Sequence, residues 1–85
     1  MLFLFLDFLI LQFVNYSVYI LYSEKLDRFY IGTTDDVDRR ISEHNTGHYE
    51  DSFTSKGQPW KLILVIDTLT SAQAYSIEAH IKKMK

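Results

Sequence analysis

From Tyr16 onward, short β-branched and aromatic runs alternate with two amphipathic segments. The runs at 16–23 (YSVYILYS), 29–33 (FYIGT) and 60–69 (WKLILVIDTL) have the composition of strands. The first two flank a short polar connection, which predicts an antiparallel hairpin. Segments 33–47 and 71–85 place apolar residues three and four apart and predict helices. The order β-β-α-β-α favours an α+β fold, with a three-stranded antiparallel sheet and flanking helices.

Polar residues indicate where the two helices begin and end. Thr34 or Asp35 is expected to cap the first helix, and Asn45 and Gly47 suit its C-terminal stop. Ser71 is expected to cap the second helix. The predicted apolar face of the second helix consists of Ala74, Ile77, Ile81 and Met84.

The first 14 residues are apolar except for Asp7 and Gln12. They lack the basic start and small-residue cleavage site of a signal peptide. A membrane span running to residue 22 would place Asp7 in the bilayer, at a cost of about 2.5–3.5 kcal/mol near its centre, and would consume the first strand. We expect an apolar extension at 1–15, a domain at 16–85 and a cytoplasmic location. Membrane anchoring through residues 1–22 is the less favoured alternative.

Composition narrows the classes of function. A chain of 85 residues holds one small domain, and the absence of cysteine excludes disulfides, thiolate zinc sites and cysteine nucleophiles. The net charge of −2 is not that of a general polyanion binder, so any nucleic-acid site must concentrate positive charge locally.

Two strand tyrosines are the first candidate site residues. Tyr19 and Tyr30 lie on the two strands of the predicted hairpin, and Gly32 follows two residues after Tyr30. Their hydroxyl groups could converge on one spot, and the glycine would allow a backbone or substrate to approach closely. The alternative is that both are ordinary half-buried strand residues.

Charged residues on the predicted helices are the second group of candidates. Arg40 and His44 are four apart and share a helix face, where the guanidinium suits a phosphate and the imidazole can hold or move a proton. Glu78 borders the apolar stripe of the last helix and could bind a hard divalent cation. The alternatives are a solvated face for the pair and an ion pair with a lysine for Glu78.

The segment VYILYSEKLDRFYIGTTDDVDRRISEHNTG resembles the signature of the GIY-YIG nuclease superfamily. It is most similar to small single-domain bacterial members related to the N-terminal domain of the excinuclease C protein. The first motif ends in Ile20, and Tyr30–Gly32 is the YIG motif. The remaining matches are RxxxHN at 40–45, SKGQPWKL at 55–62 and EAHIKK at 78–83. The resemblance covers residues 16–85.

The resemblance implies metal-dependent hydrolysis of phosphodiester bonds in nucleic acid, most naturally DNA, with the active site on one sheet face. Glu78 would hold a single Mg²⁺ or Mn²⁺ ion. Tyr30 would help activate the attacking water, as a base or through a hydrogen-bond network that Tyr19 positions. Arg40 would stabilise charge on the phosphate, with His44 in support.

Gly32, Thr33 and Asn45 are expected beside the substrate. Thr33 stands where many members carry a lysine or an aromatic residue, and Ser17-Val18 replaces Gly-Ile in the first motif. The family usually continues past the position of Lys85 with further basic residues, so a C-terminally truncated domain is expected.

Two functions therefore remain open. One is an endonuclease in repair or processing of structured DNA, and the other is a binding remnant of the same fold with little or no turnover. A homodimer or a protein partner is compatible with both.

Overall fold

The computed structural model describes residues 13–46 and 53–84. In this part, the elements are β1 (Tyr16–Ser23), β2 (Arg28–Thr34), α1 (Val37–Asn45), a short 3-10 helix (Phe53–Gly57), β3 (Trp60–Leu69) and α2 (Ser71–Lys83). The strands form an antiparallel sheet in the order β2-β1-β3. The predicted α+β fold with element order β-β-α-β-α is confirmed.

Several sequence-based expectations concern residues that the structure does not describe. Most of the apolar extension, residues 1–12, lies outside the described residues, as do the expected helix stop Gly47 and the C-terminal Lys85. Phe13 is exposed. None of the helices within 13–46 and 53–84 has the length and apolar character needed to cross a membrane.

One face of the sheet packs against α1. Tyr19, Leu21 and Trp60 are buried there, and Val37 and Ile41 of α1 pack against them. Because side chains alternate between faces along a strand, Tyr19 and Leu21 share this face of the central strand.

The opposite face packs against α2. Val18 is buried there with Ala74, and Ile77 and Ile81 pack against them at helical spacing. Met84 was predicted to continue this apolar face, and that prediction is wrong. It caps the C-terminus of α2 and is 73% exposed, because the helix has already ended there.

Strand β3 is an edge of the described sheet and is incompletely covered. Leu62, Ile63 and Leu64 are 44–55% exposed. Two register shifts against β1 interrupt the strand, one of them between the pairs Ile20–Leu64 and Leu21–Leu62. Such bulges increase the local twist, which limits edge-to-edge pairing with other chains.

The first helix begins one residue later than its predicted caps. Asp36 is the N-cap, and its Oδ1 accepts a hydrogen bond of 3.0 Å from the Arg39 backbone N–H. Thr34 instead accepts a bond from the Asp36 backbone, and Asp35 forms an ion pair with Arg39. The last helical residue is Asn45, followed by Thr46 as the C-cap.

The second helix is capped by Thr70, so the prediction of Ser71 is wrong. The Thr70 hydroxyl accepts from the Gln73 backbone at 3.1 Å, and the Gln73 side chain accepts from the Thr70 backbone at 2.9 Å. Thr70 has the extended backbone that a cap requires, whereas Ser71 is already the first helical residue.

This capping box makes a stability prediction. Thr70→Ala removes one of the two reciprocal bonds and should lower the free energy of unfolding by about 1 kcal/mol. Ser71→Ala is the matched control and should change it by less than about 0.5 kcal/mol. Urea denaturation followed by circular dichroism measures the free energy of unfolding of both variants. Equal losses in Thr70→Ala and Ser71→Ala would contradict Thr70 as the specific cap.

Candidate active site

The site begins with the contact between Tyr19 and Gly32, which are paired on β1 and β2. Tyr19 is 1% exposed, so it is more deeply buried than an ordinary half-buried strand tyrosine. A Cβ added to Gly32 would lie only 2.5 Å from the Tyr19 hydroxyl oxygen and 2.6 Å from Cζ. On this face the close approach at Gly32 is therefore made by the Tyr19 ring.

Tyr19, Tyr30 and His44 form an aromatic and imidazole cluster on the α1 side of the sheet. The Tyr19 hydroxyl lies 3.1 Å from His44 Nε2, within hydrogen-bonding distance. The Tyr30 ring lies 4.7 Å from the His44 ring and 6.1 Å from the Tyr19 ring, measured between centroids. The two tyrosine rings therefore lie near each other on this face, and α1 adds the histidine; the convergence of their hydroxyl groups stays a prediction.

Arg40 adds positive charge one helical turn before His44. Its side chain is 33% exposed, and Nε lies 3.8 Å from Glu43 Oε1. Burial lowers the pKa of His44, the charge of Arg40 lowers it further, and Glu43 opposes the shift. The imidazole is therefore neutral at pH 7 and can hold or relay a proton next to the Tyr19 hydroxyl.

Glu78 lies on the other side of the sheet, on α2. Its Oε1 accepts a hydrogen bond of 2.5 Å from the Thr33 hydroxyl, and its Oε2 accepts one of 2.7 Å from Lys82 Nζ. Burial raises the pKa of Glu78, but the hydrogen bonds from Lys82 and Thr33 outweigh it and leave the pKa below its ordinary value. Glu78 is thus an ionised carboxylate with both oxygens oriented.

The candidates form two groups on opposite faces, not one group on one face as the resemblance implied. Tyr30 and Gly32 point toward α1, whereas Thr33 contacts Glu78 of α2. The reason is the two-residue period of a strand. Strand β2 carries residues of both groups and forms an edge of the described sheet.

Asn45 is tied to the start of β3. Its Oδ1 accepts from the Trp60 backbone N–H at 2.7 Å, and its Nδ2 donates to the Trp60 carbonyl at 3.1 Å. Gln58 adds a bond of 3.0 Å to the His44 carbonyl. In these contacts Asn45 joins the end of α1 to β3 and holds the backbone that carries His44.

Sequence reasoning missed Trp60 and did not say which lysine pairs with Glu78. Trp60 lies edge-on to the Tyr30 ring at 6.3 Å and donates from Nε1 to the Thr54 carbonyl at 2.6 Å. Its position at the start of a strand gave no sign of either contact. The lysine expected as an alternative partner of Glu78 is Lys82, which the spacing could have identified because Glu and Lys four apart on a helix pair favourably.

Within the described residues, no three His, Asp or Glu side chains lie close enough together to hold a metal ion. A metal at Glu78 would therefore bind fewer than three such side chains of the described residues. His80, two residues away from Glu78, is exposed.

The lowered pKa of His44 predicts a pH dependence of stability. The unfolded chain, with a histidine pKa of about 6.5, binds a proton more readily than the folded state. The free energy of unfolding should therefore rise as pH increases from 5 to 7 and fall with acid. Urea unfolding across this range measures the slope.

His44→Gln should flatten this slope, and His80→Gln, at an exposed position, should leave it unchanged. Glu78 contributes to the pH dependence of stability in a separate range, below about pH 4.5. Because its pKa is lowered in the folded state, its contribution to the free energy of unfolding is lost as the carboxylate becomes protonated in acid. An unchanged slope in His44→Gln would contradict the assignment.

The two hydrogen bonds between Asn45 and the Trp60 backbone predict that removing the Asn45 side chain destabilises the fold. Asn45→Ala removes a donor and an acceptor from the backbone of a buried residue and should cost about 1–3 kcal/mol. Since Trp60 is the single tryptophan of the chain, its fluorescence reports the transition directly. Thr46→Ala, at the exposed neighbouring position, is the control; similar losses in both variants would argue against a specific clamp.

Comparison with known proteins identifies a family that matches the chain. Residues 15–85 match the family model described as GIY-YIG catalytic domain. The chain is also 40% identical over 63 residues to the structure-specific endonuclease subunit SLX1 of Meyerozyma guilliermondii, a match that covers 69% of this chain and 21% of the relative. No solved structure matches. Because the family model spans nearly all of the described domain, the chain belongs to the GIY-YIG catalytic domain family.

Proposed function

We propose that this domain is a divalent-metal-dependent endonuclease that hydrolyses phosphodiester bonds in branched or otherwise structured DNA. The observation that carries the proposal is the position of β2, which joins the tyrosine–histidine cluster on one face to the ionised Glu78 on the other. Membership of a nuclease family and similarity to an endonuclease subunit support it.

The chain spans about a fifth of the length of that relative. A role in DNA repair and dependence on a protein partner or a second copy are therefore part of the proposal. The exposed apolar residues of β3, from Leu62 to Leu64, offer a surface for such a partner.

The side chains present fit a magnesium or manganese site of the minimal kind. Mg²⁺ is commonly held by one or two carboxylates together with waters and substrate phosphate oxygens. Glu78 provides one ionised carboxylate, and Thr33 orients it as an outer-shell donor does. A divalent cation on Glu78 would act as a Lewis acid toward a phosphate oxygen.

The groups on the α1 side would accept the proton that the attacking water loses. In hydrolysis the water oxygen forms a bond to phosphorus, the bond to the leaving sugar oxygen breaks, one proton leaves the water and one reaches the leaving oxygen. Tyr30 lies against the neutral imidazole of His44, which in turn contacts the Tyr19 hydroxyl. This chain of groups would accept the proton from water.

Arg40 would neutralise the phosphate. Its guanidinium is one helical turn from His44 and partly exposed, so it can reach a bound phosphodiester. Tyr30 and Thr33 are three residues apart, about 10 Å along the strand. A DNA backbone that contacts both groups would therefore run along the outer edge of β2, near Gly32.

A DNA-binding module without turnover is the second candidate function. It is favoured by the state of Glu78, since each of its oxygens already has a protein donor. It is also favoured by the absence, among the described residues, of any group of three or more His, Asp or Glu side chains that could hold a metal ion.

The proposal predicts metal-dependent cleavage that requires Glu78. We expect nicking of a labelled branched DNA with Mg²⁺ or Mn²⁺, weaker cleavage of a linear duplex, and none with chelator. Glu78→Gln should lower the rate at least about 100-fold, since losing a ligand costs at least as much as losing its outer-shell partner.

Glu24→Gln is the matched control, because it removes the same charge from an exposed carboxylate paired with Lys61. Its rate should stay within about twofold of the original, as expected for a surface ion pair. Cleavage that persists with chelator or in Glu78→Gln would contradict the metal site. Metal-independent binding of DNA with no cleavage by the folded protein would favour the second candidate.

A further inference from the structure

The cation that Glu78 holds is the ammonium group of Lys82. Lys82 Nζ lies 2.7 Å from Glu78 Oε2, while the Thr33 hydroxyl occupies Oε1. The Glu78 side chain is 18% exposed and that of Lys82 is 53% exposed. The lysine therefore covers the carboxylate from the solvent side, and the threonine holds it from the sheet side.

These two donors would respond differently to a divalent cation. A magnesium ion binds a carboxylate oxygen at about 2.0–2.1 Å, which would place it within a few ångströms of the ammonium group. Two positive charges at that separation repel each other. The neutral Thr33 hydroxyl has no such conflict and can stay in place as an outer-shell donor.

Lys82 is also able to move. Its charge is a compact group on a flexible four-carbon stem, and most of the side chain is solvated. An exposed pair of Glu and Lys four residues apart on a helix is weak, so little free energy opposes its separation.

The net charge of the chain is negative, so a lysine released beside the proposed metal site would have a use there. The chain has nine basic and eleven acidic residues. In the described part, Arg39 pairs with Asp35, Arg40 with Glu43, and Lys61 with Glu24. A lysine released next to the metal would add a phosphate contact where the scissile bond is expected.

We infer that Lys82 competes with the divalent cation for Glu78 and, once displaced, binds a DNA phosphate. This inference rests on the proposed metal site at Glu78. Metal binding frees the lysine for DNA, and DNA binding draws the lysine away from the carboxylate, so each ligand strengthens the binding of the other by the same factor. Lys82 is thus a substrate-binding residue that also sets the metal affinity.

The first measurement is Mn²⁺ binding to the complete chain without DNA, followed by the electron paramagnetic resonance signal of free Mn²⁺. Lys82→Gln should tighten Mn²⁺ binding about three- to tenfold, the effect expected for removing one nearby like charge. Lys82→Arg keeps the charge and should stay close to the original affinity. Lys83→Gln is the matched control at the next exposed position and should change the affinity less than twofold.

The second measurement is the affinity for a labelled branched DNA, by fluorescence anisotropy, with and without Mn²⁺. Tyr30→Phe serves as the background so that the DNA remains intact. Without metal, Lys82→Gln should bind DNA almost as tightly as the background, because Lys82 of the background is then paired with Glu78. With Mn²⁺, Lys82→Gln should lose at least half of the increase in DNA affinity that Mn²⁺ produces in the background. Lys83→Gln should weaken DNA binding by the same factor in both conditions.

Failure of this inference can be told apart from failure of the metal site. If Glu78→Gln binds Mn²⁺ as tightly as the original chain, the metal site is wrong and the role of Lys82 is overturned with it. If Glu78→Gln loses Mn²⁺ binding but Lys82→Gln leaves it unchanged or weaker, the metal site stands and only the competition by Lys82 is overturned. An unchanged Mn²⁺-dependent gain in DNA affinity in Lys82→Gln would also overturn it.

Discussion

The packing of the Tyr19 ring over Gly32 is the contact on which the candidate site depends. The ring occupies the volume that any side chain at Gly32 would need, with its hydroxyl oxygen 2.5 Å from the position of a Cβ. That placement directs the hydroxyl group to His44 of α1, 25 residues away in sequence. The close approach at Gly32 thus sets where the Tyr19 hydroxyl meets α1, because a buried aromatic ring has few alternative places in a close-packed core.

The same strand explains why the site is divided. Side chains alternate along β2, so Tyr30 joins the α1 side and Thr33 joins the α2 side. Each side has its own chemistry: the α1 side holds a neutral imidazole and tyrosine hydroxyl groups, and the α2 side holds an ionised carboxylate. Because the imidazole and the carboxylate lie on opposite faces, the two do not form an ion pair with each other. The two sides meet at the edge of β2, where the proposal places the DNA backbone.

Charge is the second constraint on this small domain. With a net charge of −2, the chain attracts a polyanion only where its acidic residues are kept away from the basic ones or neutralised. Most of the ion pairs in the described part are exposed and contribute little to stability. Their greater effect is on where positive charge is available, and the pair of Glu78 with Lys82 is the one closest to the proposed chemistry.

The sequence alone determined the elements and most of the candidate residues. Strand composition, helical spacing and the hairpin connection indicated the sheet and its helices, because these signals depend on neighbours within a few residues. The order of motifs indicated Tyr19, Tyr30, Arg40, His44 and Glu78. The spacing of Glu78 relative to the apolar stripe also indicated a partly buried carboxylate with a lysine partner as one alternative.

Only the tertiary structure decided how these residues meet. The bonds from Thr33 to Glu78 and from Asn45 to Trp60 join positions 45 and 15 residues apart, and no local pattern encodes them. The choice of Thr70 over Ser71 as a cap depended on backbone angles, since both residues carry a suitable hydroxyl. The division of the site between two faces followed from the register of β2 between the helices, which is a property of the folded sheet and not of any single motif.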